Sequence, residues 1–373
     1  MTDGGSGSTP LPVQLRNLSL QAFRNYSSFE FEPDPGLTLI VGPNGQGKTN
    51  LVEAIYFLCL GRSFRERSDR RLIMFGEQTA QLEGLFDRAQ ENGSIRIIID
   101  REAGKKAMID GVEVERLRDL VGQVPVVGFT PEDNDIVKGD PASRRRFLDL
   151  VLAQTSREYL ESLQRYRRAL AQRNICLREG RAELLESWEE ALVKHGTVIR
   201  EHRARLVEYF SEQALETYGE ISPTKETFSI EYRPRPVLEN GGEAELASAL
   251  ESGRDDDLER GFTGTGPHRD DLNMEIGARH LRLYGSHGQA RTALATLKLG
   301  EVAYYTHARD CRPILVMDEV ASVLDRDRTG NLLALLSREA SQVFITSPTE
   351  EEFGDVASGA GCIVRVDEQR AKN

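Results

Sequence analysis

Apolar and polar residues alternate through the first third of the chain. Val13 and Leu15, then Leu18 and Leu20, then Phe29 and Phe31 recur at a period of two, the spacing of strands that cover a core with one face. The run Leu37-Thr38-Leu39-Ile40-Val41 is almost wholly apolar and predicts a buried strand. Asp110-Gly111, set between Ala107-Met108-Ile109 and Val112-Glu113-Val114, is a two-residue hairpin turn. One stretch breaks the rhythm: Leu51, Ala54, Ile55 and Leu58 follow the i, i+3, i+4, i+7 spacing of a helix that starts near Gly47 and packs on a sheet. From Val13 to about Phe129 the pattern predicts a mixed sheet with a single early helix.

From Pro141 to about Tyr218 the period changes. Leu163, Leu170 and Leu177 recur every seven residues, as do Leu185, Leu192, Ile199 and Leu206, with Trp188, His195, His202 and Tyr209 as a companion seam. Gly180 lies between the two runs, which predicts an antiparallel helical hairpin, a short coiled-coil arm. The two histidines alternate with bulky seam residues, so packing suits them better than a metal or pH-sensing role. Residues from Ser222 to about Asp257 are rich in Pro, Gly and acids and read as a surface loop. Beyond Gly261, strands at Leu272 to Ile276, Ile314 to Met317 and Val343 to Ile345 alternate with helices at Gln289 to about His307 and Asp327 to Ala340. This is the rhythm of a parallel sheet with crossover helices, and the fold class is α/β.

A chain of 373 residues exceeds what one core usually organises, so two or three units are expected. The hydrophobic share of 39% and charged share of 29% are those of a globular protein, and no apolar run approaches a membrane span. The first residues carry neither a basic nor an apolar leader region, so a cytoplasmic location is expected. A net charge of −12, from 48 basic and 60 acidic residues, excludes a domain that coats nucleic acid through its average field, and any such contact must be a local patch. Cys59, Cys176, Cys311 and Cys362 are too dispersed for a zinc or thiol-exchange pair.

The chemistry concentrates in one phrase. Gly42-Pro43-Asn44-Gly45-Gln46-Gly47-Lys48-Thr49 fits G-x-x-x-x-G-K-[ST], with a buried strand before it and an amphipathic helix after it. Backbone amides of such a loop turn inward around phosphates, and the helix N-terminus adds its positive end. Lys48 would neutralise the β- and γ-phosphates of ATP, and Thr49 would offer its hydroxyl to Mg²⁺. The second half of the site is the acid after a buried strand: in Ile314-Leu315-Val316-Met317-Asp318-Glu319, Asp318 is placed to hold Mg²⁺ and Glu319 to polarise the attacking water.

A glutamate directly after the Mg²⁺-binding aspartate resembles the ATP-binding-cassette class. Tyr284-Gly285-Ser286-His287-Gly288-Gln289 is similar to that class's signature loop, keeping Ser286, Gly288 and Gln289, with His287 where transporters usually carry Gly. It opens a helix and precedes Asp318, in the class's order. Ala321-Ser322-Val323-Leu324-Asp325 resembles its D-loop. The resemblance implies an ATP-sandwiched homodimer in which Ser286 and Gly288 complete the partner's nucleotide site, with Gln289 and Asp325 beside it. It also implies an ATPase head of mixed sheet and helices, residues 13–135 with 308–373. A helical arm domain over residues 136–307 interrupts it, and a disordered tail over residues 1–12 precedes it.

A coiled-coil arm between the phosphate loop and the signature loop points to the chromosome-maintenance branch of this class rather than to transporters. Six phrases look like the RecF family of bacterial recombination mediators: Leu20 to Tyr26, Gly61 to Arg65, Thr130 to Asp133, Pro141 to Asp149, Gly266 to Leu272 and Ser286 to Glu301. The match is collinear from about residue 13 to about residue 350. It implies a weak, DNA-stimulated ATPase of DNA repair that binds duplex DNA and single-strand/double-strand junctions at gaps. It also implies work with RecO and RecR to load RecA, and support of the SOS response. A structural DNA tether and, further off, a transporter ATPase subunit are the alternatives.

Local arginine patches fit this picture. Arg62, Arg65, Arg67, Arg70 and Arg71 fall within ten residues, and Arg144-Arg145-Arg146 is followed by Arg165, Arg167 and Arg168 on the arm. Arginine forks suit phosphate oxygens without reading sequence. Two departures from the wider class stand out. No His follows Val343-Phe344-Ile345, where Thr346-Ser347-Pro348 stands, and Gln123 precedes rather than ends the strand Val126 to Phe129. Both suit slow turnover. The group His268, Asp270 and Asp271 is read as structural, for want of further metal ligands.

Overall fold

The computed structural model describes residues 11–88, 91–222, 226–237, 242–319, 330, 332, 334–336, 340–350 and 361–366. The chain divides into two units, Met1–Asp133 with Ala295–Asn373, and Asn134–Leu294.

The first unit holds two sheets. Strands β1 (Leu11–Phe23), β2 (Tyr26–Phe31), β4 (Thr79–Arg88), β5 (Glu91–Asp100), β6 (Gly104–Ile109) and β7 (Val112–Glu113) form an antiparallel meander, closed at one edge by parallel pairing with β12 (Cys311–Arg312). Here β1 starts earlier than the tail expected over residues 1–12, because Leu11 and Pro12 pair with Cys311 and Arg312. The second sheet is fully parallel, β15-β3-β14-β13-β8, built from β3 (Gly36–Val41), β8 (Val126–Phe129), β13 (Ile314–Met317), β14 (Gln342–Ser347) and β15 (Cys362–Arg365). The residues of β8, β13 and β14 are buried throughout, as two-sided burial of a parallel sheet requires.

Helix α1 (Lys48–Leu60) touches β4 and β5 of one sheet and β8, β13 and β14 of the other. The apolar stripe predicted one packed face, but every residue from Leu51 to Leu60 is buried. Covered on both sides, the helix needs apolar residues all round.

In the second unit, α2 (Asn134–Lys138) leads into α3 (Pro141–Thr155), α4 (Arg157–Arg178) and α5 (Leu185–Ile221). The side chain of Asp140 caps α3 by accepting from Ser143 N with Pro141 in the first turn, and Ser156 caps α4 by accepting from Tyr159 N, both ordinary start signals. Helices α4 and α5 run antiparallel: near their turn Arg173 meets Glu189, and far from it Tyr159 meets Arg203. Leu163, Leu177, Leu185, Leu192, Ile199 and Leu206 are buried along the seam, and His195 is buried among them.

The expected loop from Ser222 to Asp257 is instead built structure. Strand β9 (Phe228–Arg233) packs on α5 and pairs with β10 (Asp271–Ile276), which pairs with β11 (Arg279–His280); α6 (Glu243–Ser252) also lies on α5, and α7 (Arg254–Arg260) follows. Phe228 and Ile230, one residue apart, face the core with Leu246 and Leu250, a pattern that the surrounding Pro, Gly and acids obscure. Helix α8 (Leu281–Tyr284) precedes α9 (His287–Arg309), and the division between the units falls within α9.

Candidate functional site

Between the end of β3 at Val41 and the start of α1 at Lys48, the chain makes the loop Gly42 to Gly47. Gly47 caps the helix at φ +108°, and a Cβ there would stand 2.6 Å from the Asn25 side chain; only glycine fits. The β1–β2 turn braces the loop from outside. Asn25 Nδ2 donates to Gln46 O at 3.0 Å, and the Tyr26 hydroxyl donates to Gly47 O at 3.1 Å. Lys48 is buried, its Nζ donating to Gly42 O at 2.6 Å, Pro43 O at 3.0 Å and Asn44 Oδ1 at 3.3 Å. The ammonium is thus held inside the loop by neutral acceptors that a phosphate oxygen would outcompete.

Asp318 follows the end of β13, which is separated from β3 by β14 in the parallel sheet. Its backbone N–H donates to Phe129 O at 2.9 Å. Its Oδ1 accepts from the Thr49 hydroxyl at 3.0 Å and from the Thr346 hydroxyl at 2.8 Å. Burial raises the carboxyl above its ordinary pKa, opposed by the two threonine hydroxyls and reinforced by the adjacent Glu319. A buried carboxylate and a hydroxyl are the hard oxygen donors that Mg²⁺ takes, so Thr49 and Asp318 fit that ion. Glu319 is exposed, with φ at +51° and its N–H donating to Thr346 Oγ1 at 3.0 Å. A left-handed backbone at a residue other than glycine costs about 1 kcal/mol or more and tends to mark sites of function.

Thr346, at the end of β14, therefore ties the two acids together. In the sequence that position stands out only for lacking a histidine. The available signal was a hydroxyl residue closing a buried strand beside the one that carries Asp318.

Ser286, Gly288 and Gln289 lie in the second unit at the start of α9. Ser286 N donates to Gln289 Oε1 at 2.8 Å and Gln289 N to Ser286 Oγ at 3.2 Å, a reciprocal capping box. Ser286 is exposed. Asp325 and the rest of the D-loop-like phrase fall outside the described residues.

The arginine clusters divide. Arg62, Arg67, Arg70 and Arg71 are exposed. Arg65 is drawn toward α1, where it bonds Asn50 and reaches Glu53 Oε2 at 2.9 Å. Arg24 grips the same carboxylate at 2.9 and 2.8 Å. Burial works against the charge on Glu53, but Arg24, Arg65 and Ser63 hold its pKa below the ordinary carboxylate range.

Arg144, expected as a DNA contact, is 2% exposed and its guanidinium is paired with Asp271 at 2.7 and 3.1 Å, so in this fold it presents no free fork to a phosphate. Arg145 is half-buried and bonds Asp270 O at 2.8 Å, and only Arg146 of the three is exposed. Successive helical residues point about 100° apart, so three adjacent arginines cannot share one face.

Asp270 is spent on Arg200 and Tyr232, and His268 on Tyr166 and Thr263 O. Burial drives the His268 pKa down to about 4. Among the described residues no cluster of His, Cys, Asp and Glu could hold a metal.

Residues 14–371 match the RecF/RecN/SMC N terminal domain family. The DNA replication and repair protein RecF of Geobacter sp. (strain M21) is 36% identical over 340 residues, 90% of this chain and 93% of that one. The solved structure of the recombination mediator protein RecF-ATPrS in the RecFOR pathway superposes with a TM-score of 0.86 at 30% identity, covering 96% of this chain and 97% of that one. The RecF-ATP structure from the same pathway gives 0.85 at 30%, covering 92% and 96%.

Proposed function

The chain belongs to the RecF branch of the RecF/RecN/SMC N terminal domain family, and on that premise we propose that it is an ATP-dependent DNA-binding protein of replication and recombinational repair. One observation carries the reading: Asp318 Oδ1 is held by Thr49 of the phosphate loop and Thr346 of the next strand, with buried Lys48 folded into the same loop.

In this reading Lys48 exchanges its carbonyl partners for the phosphate oxygens of ATP. Thr49 and Asp318 hold Mg²⁺, which supplies positive charge to the phosphates when bound. Glu319 orients a water and accepts its proton. Ser286 and Gly288 of one copy complete the site of a second copy, so that ATP closes a homodimer. The dimer binds duplex DNA and gap junctions, works with RecO and RecR to load RecA, and supports the SOS response. A slow hydrolysis, stimulated by DNA, reopens it.

The test is a titration of dimerisation and DNA binding with ATP, ADP and no nucleotide, on gapped, continuous and single-stranded DNA. ATP is expected to drive dimerisation and tighten binding to gapped DNA, and Lys48→Met to abolish nucleotide binding and both responses. DNA affinity unchanged by ATP would overturn the reading.

A further inference from the structure

Single exposed apolar side chains are common on proteins and need no explanation. Phe75 of the first unit is a different case, because it is 100% exposed and the backbone holds it there. Met74 to Glu77 form a tight turn in which Glu77 N donates to Met74 O at 3.1 Å and Gly76 takes φ +90°, the type II arrangement that needs glycine at its third position. The Arg101 side chain donates to both ends of that turn, to Glu77 O at 2.8 Å and Met74 O at 3.4 Å. The chain entering the turn is bonded to the end of β1 through Met74 N to Ala22 O at 2.8 Å and to the β1–β2 turn through Arg24 N to Leu72 O at 2.7 Å, and Leu72 and Ile73 are buried. Phe75 thus sits on a fixed mount.

The segment of chain leading into the turn is rich in arginine. Arg67, Arg70 and Arg71 are exposed in the segment leading to the turn. Two of the acids among them are engaged: Asp69 pairs with Lys105 at 2.6 Å, and Glu66 lies 3.6 Å from Arg71, whose side chain is still 74% exposed. Glu77, beyond Phe75, is the exposed acid of the turn. A fully exposed aromatic ring four to eight residues along the chain from three exposed arginines suits a nucleic acid strand, whose phosphates take arginine forks while its bases stack on an aromatic ring.

We propose that Phe75 stacks on an unpaired base of DNA, while Arg67, Arg70 and Arg71 hold the phosphates next to it. This rests on the DNA-binding reading above and gives it a physical source of preference. In continuous duplex each base already stacks on its neighbours, so Phe75 has nothing to cover. At a gap, the first unpaired base offers a free face.

The experiment compares wild type, Phe75→Ala and Phe75→Tyr by fluorescence anisotropy in the presence of ATP, on gapped duplex and continuous duplex, with 2-aminopurine as the first unpaired base of the gap. Phe75→Ala is expected to weaken gapped-DNA binding roughly tenfold and continuous-duplex binding less than about twofold, the scale of one lost base stack. Phe75→Tyr should keep the affinity and the 2-aminopurine quenching. If Phe75→Ala binds gapped DNA as tightly as wild type, and that binding still requires ATP, the stacking contact is overturned, DNA binding stands, and Phe75 belongs to a surface for a protein partner. If wild type binds no DNA under any nucleotide, the DNA-binding reading and this contact fall together.

Discussion

Two buried aspartates show what each unit does with charge. In the second unit, Asp149 receives Arg203 at 2.7 Å and Arg167 at 2.8 Å, along with the Tyr159 hydroxyl. Burial opposes its charge, but the arginines and the tyrosine hold its pKa below the ordinary range. In the first unit, Asp318 is met by two threonine hydroxyls, and its pKa is raised. One carboxylate has its cation built in and works as a strut. The other is kept in hydroxyl company, at the end of a strand beside a phosphate loop, and gains by admitting a cation. Burial of an acid thus says little about its role, and the identity of its partners says much.

The strongest way to break the comparison is to remove a built-in cation. Arg173 is fully buried, donating to Glu189 at 2.8 Å, Asp257 at 2.7 Å and Thr263 at 2.9 Å. Arg173→Met fills the space and strands the Asp257 carboxylate, while Glu189 keeps Arg254 at 2.5 Å. The expected cost is about 3–5 kcal/mol of unfolding free energy, read by urea denaturation, with ATP affinity unchanged below the transition. A variant as stable as wild type would show that these carboxylates are not struts.

Asp318→Asn is the converse. Asparagine keeps an oxygen for both threonine hydroxyls and removes a charge that burial penalises, so stability should shift by less than about 1 kcal/mol. ATP hydrolysis, however, should fall by about a hundredfold or more, since the group that seats Mg²⁺ is gone. The pH response separates the two acids in sign. With its folded pKa raised, Asp318 takes up a proton sooner than an ordinary carboxylate as pH falls, so Mg²⁺-dependent nucleotide binding is lost early. With its folded pKa lowered, Asp149 contributes stability that is present above the unfolded carboxylate value and lost only as pH falls through the folded one. Isothermal titration of Mg²⁺-ATP across acid pH, beside denaturation at the same pH values, reads both. Nucleotide binding and stability lost over one shared pH range would contradict the distinction.

These two regions also differ in how far they could be read from the residues alone. The phosphate loop was legible because its chemistry is done by consecutive backbone amides and by Lys48 and Thr49 directly after them, so chain neighbours are also site neighbours. The hairpin was legible from its sevenfold repeat. The strut network was not: Arg173, Glu189 and Asp257 come together from two helices and from a segment taken for a loop. Each alone looks like a solvated surface residue. The same limit made Arg144 look like a phosphate contact, since nothing local announces Asp271 as its partner. Phe75 was passed over because one phenylalanine between Met74 and Gly76 has no periodicity to mark it.

Thr346 is the finest test of the comparison, because it changes only how the acids are held. Its hydroxyl donates to Asp318 Oδ1 and accepts from Glu319 N, so it sets the angle of one acid and the backbone of the next. Thr346→Val preserves shape and removes both bonds, leaving Glu319 N–H without that acceptor. Hydrolysis should slow by about tenfold, the scale of one lost positioning bond. Affinity for Mg²⁺-ATP should change less, because Thr49 and Asp318 themselves remain. Thr346→Ser restores the hydroxyl and should recover most of the rate. If valine and serine behave alike in single-turnover hydrolysis, the threonine merely fills space, and Glu319 is held by its own backbone.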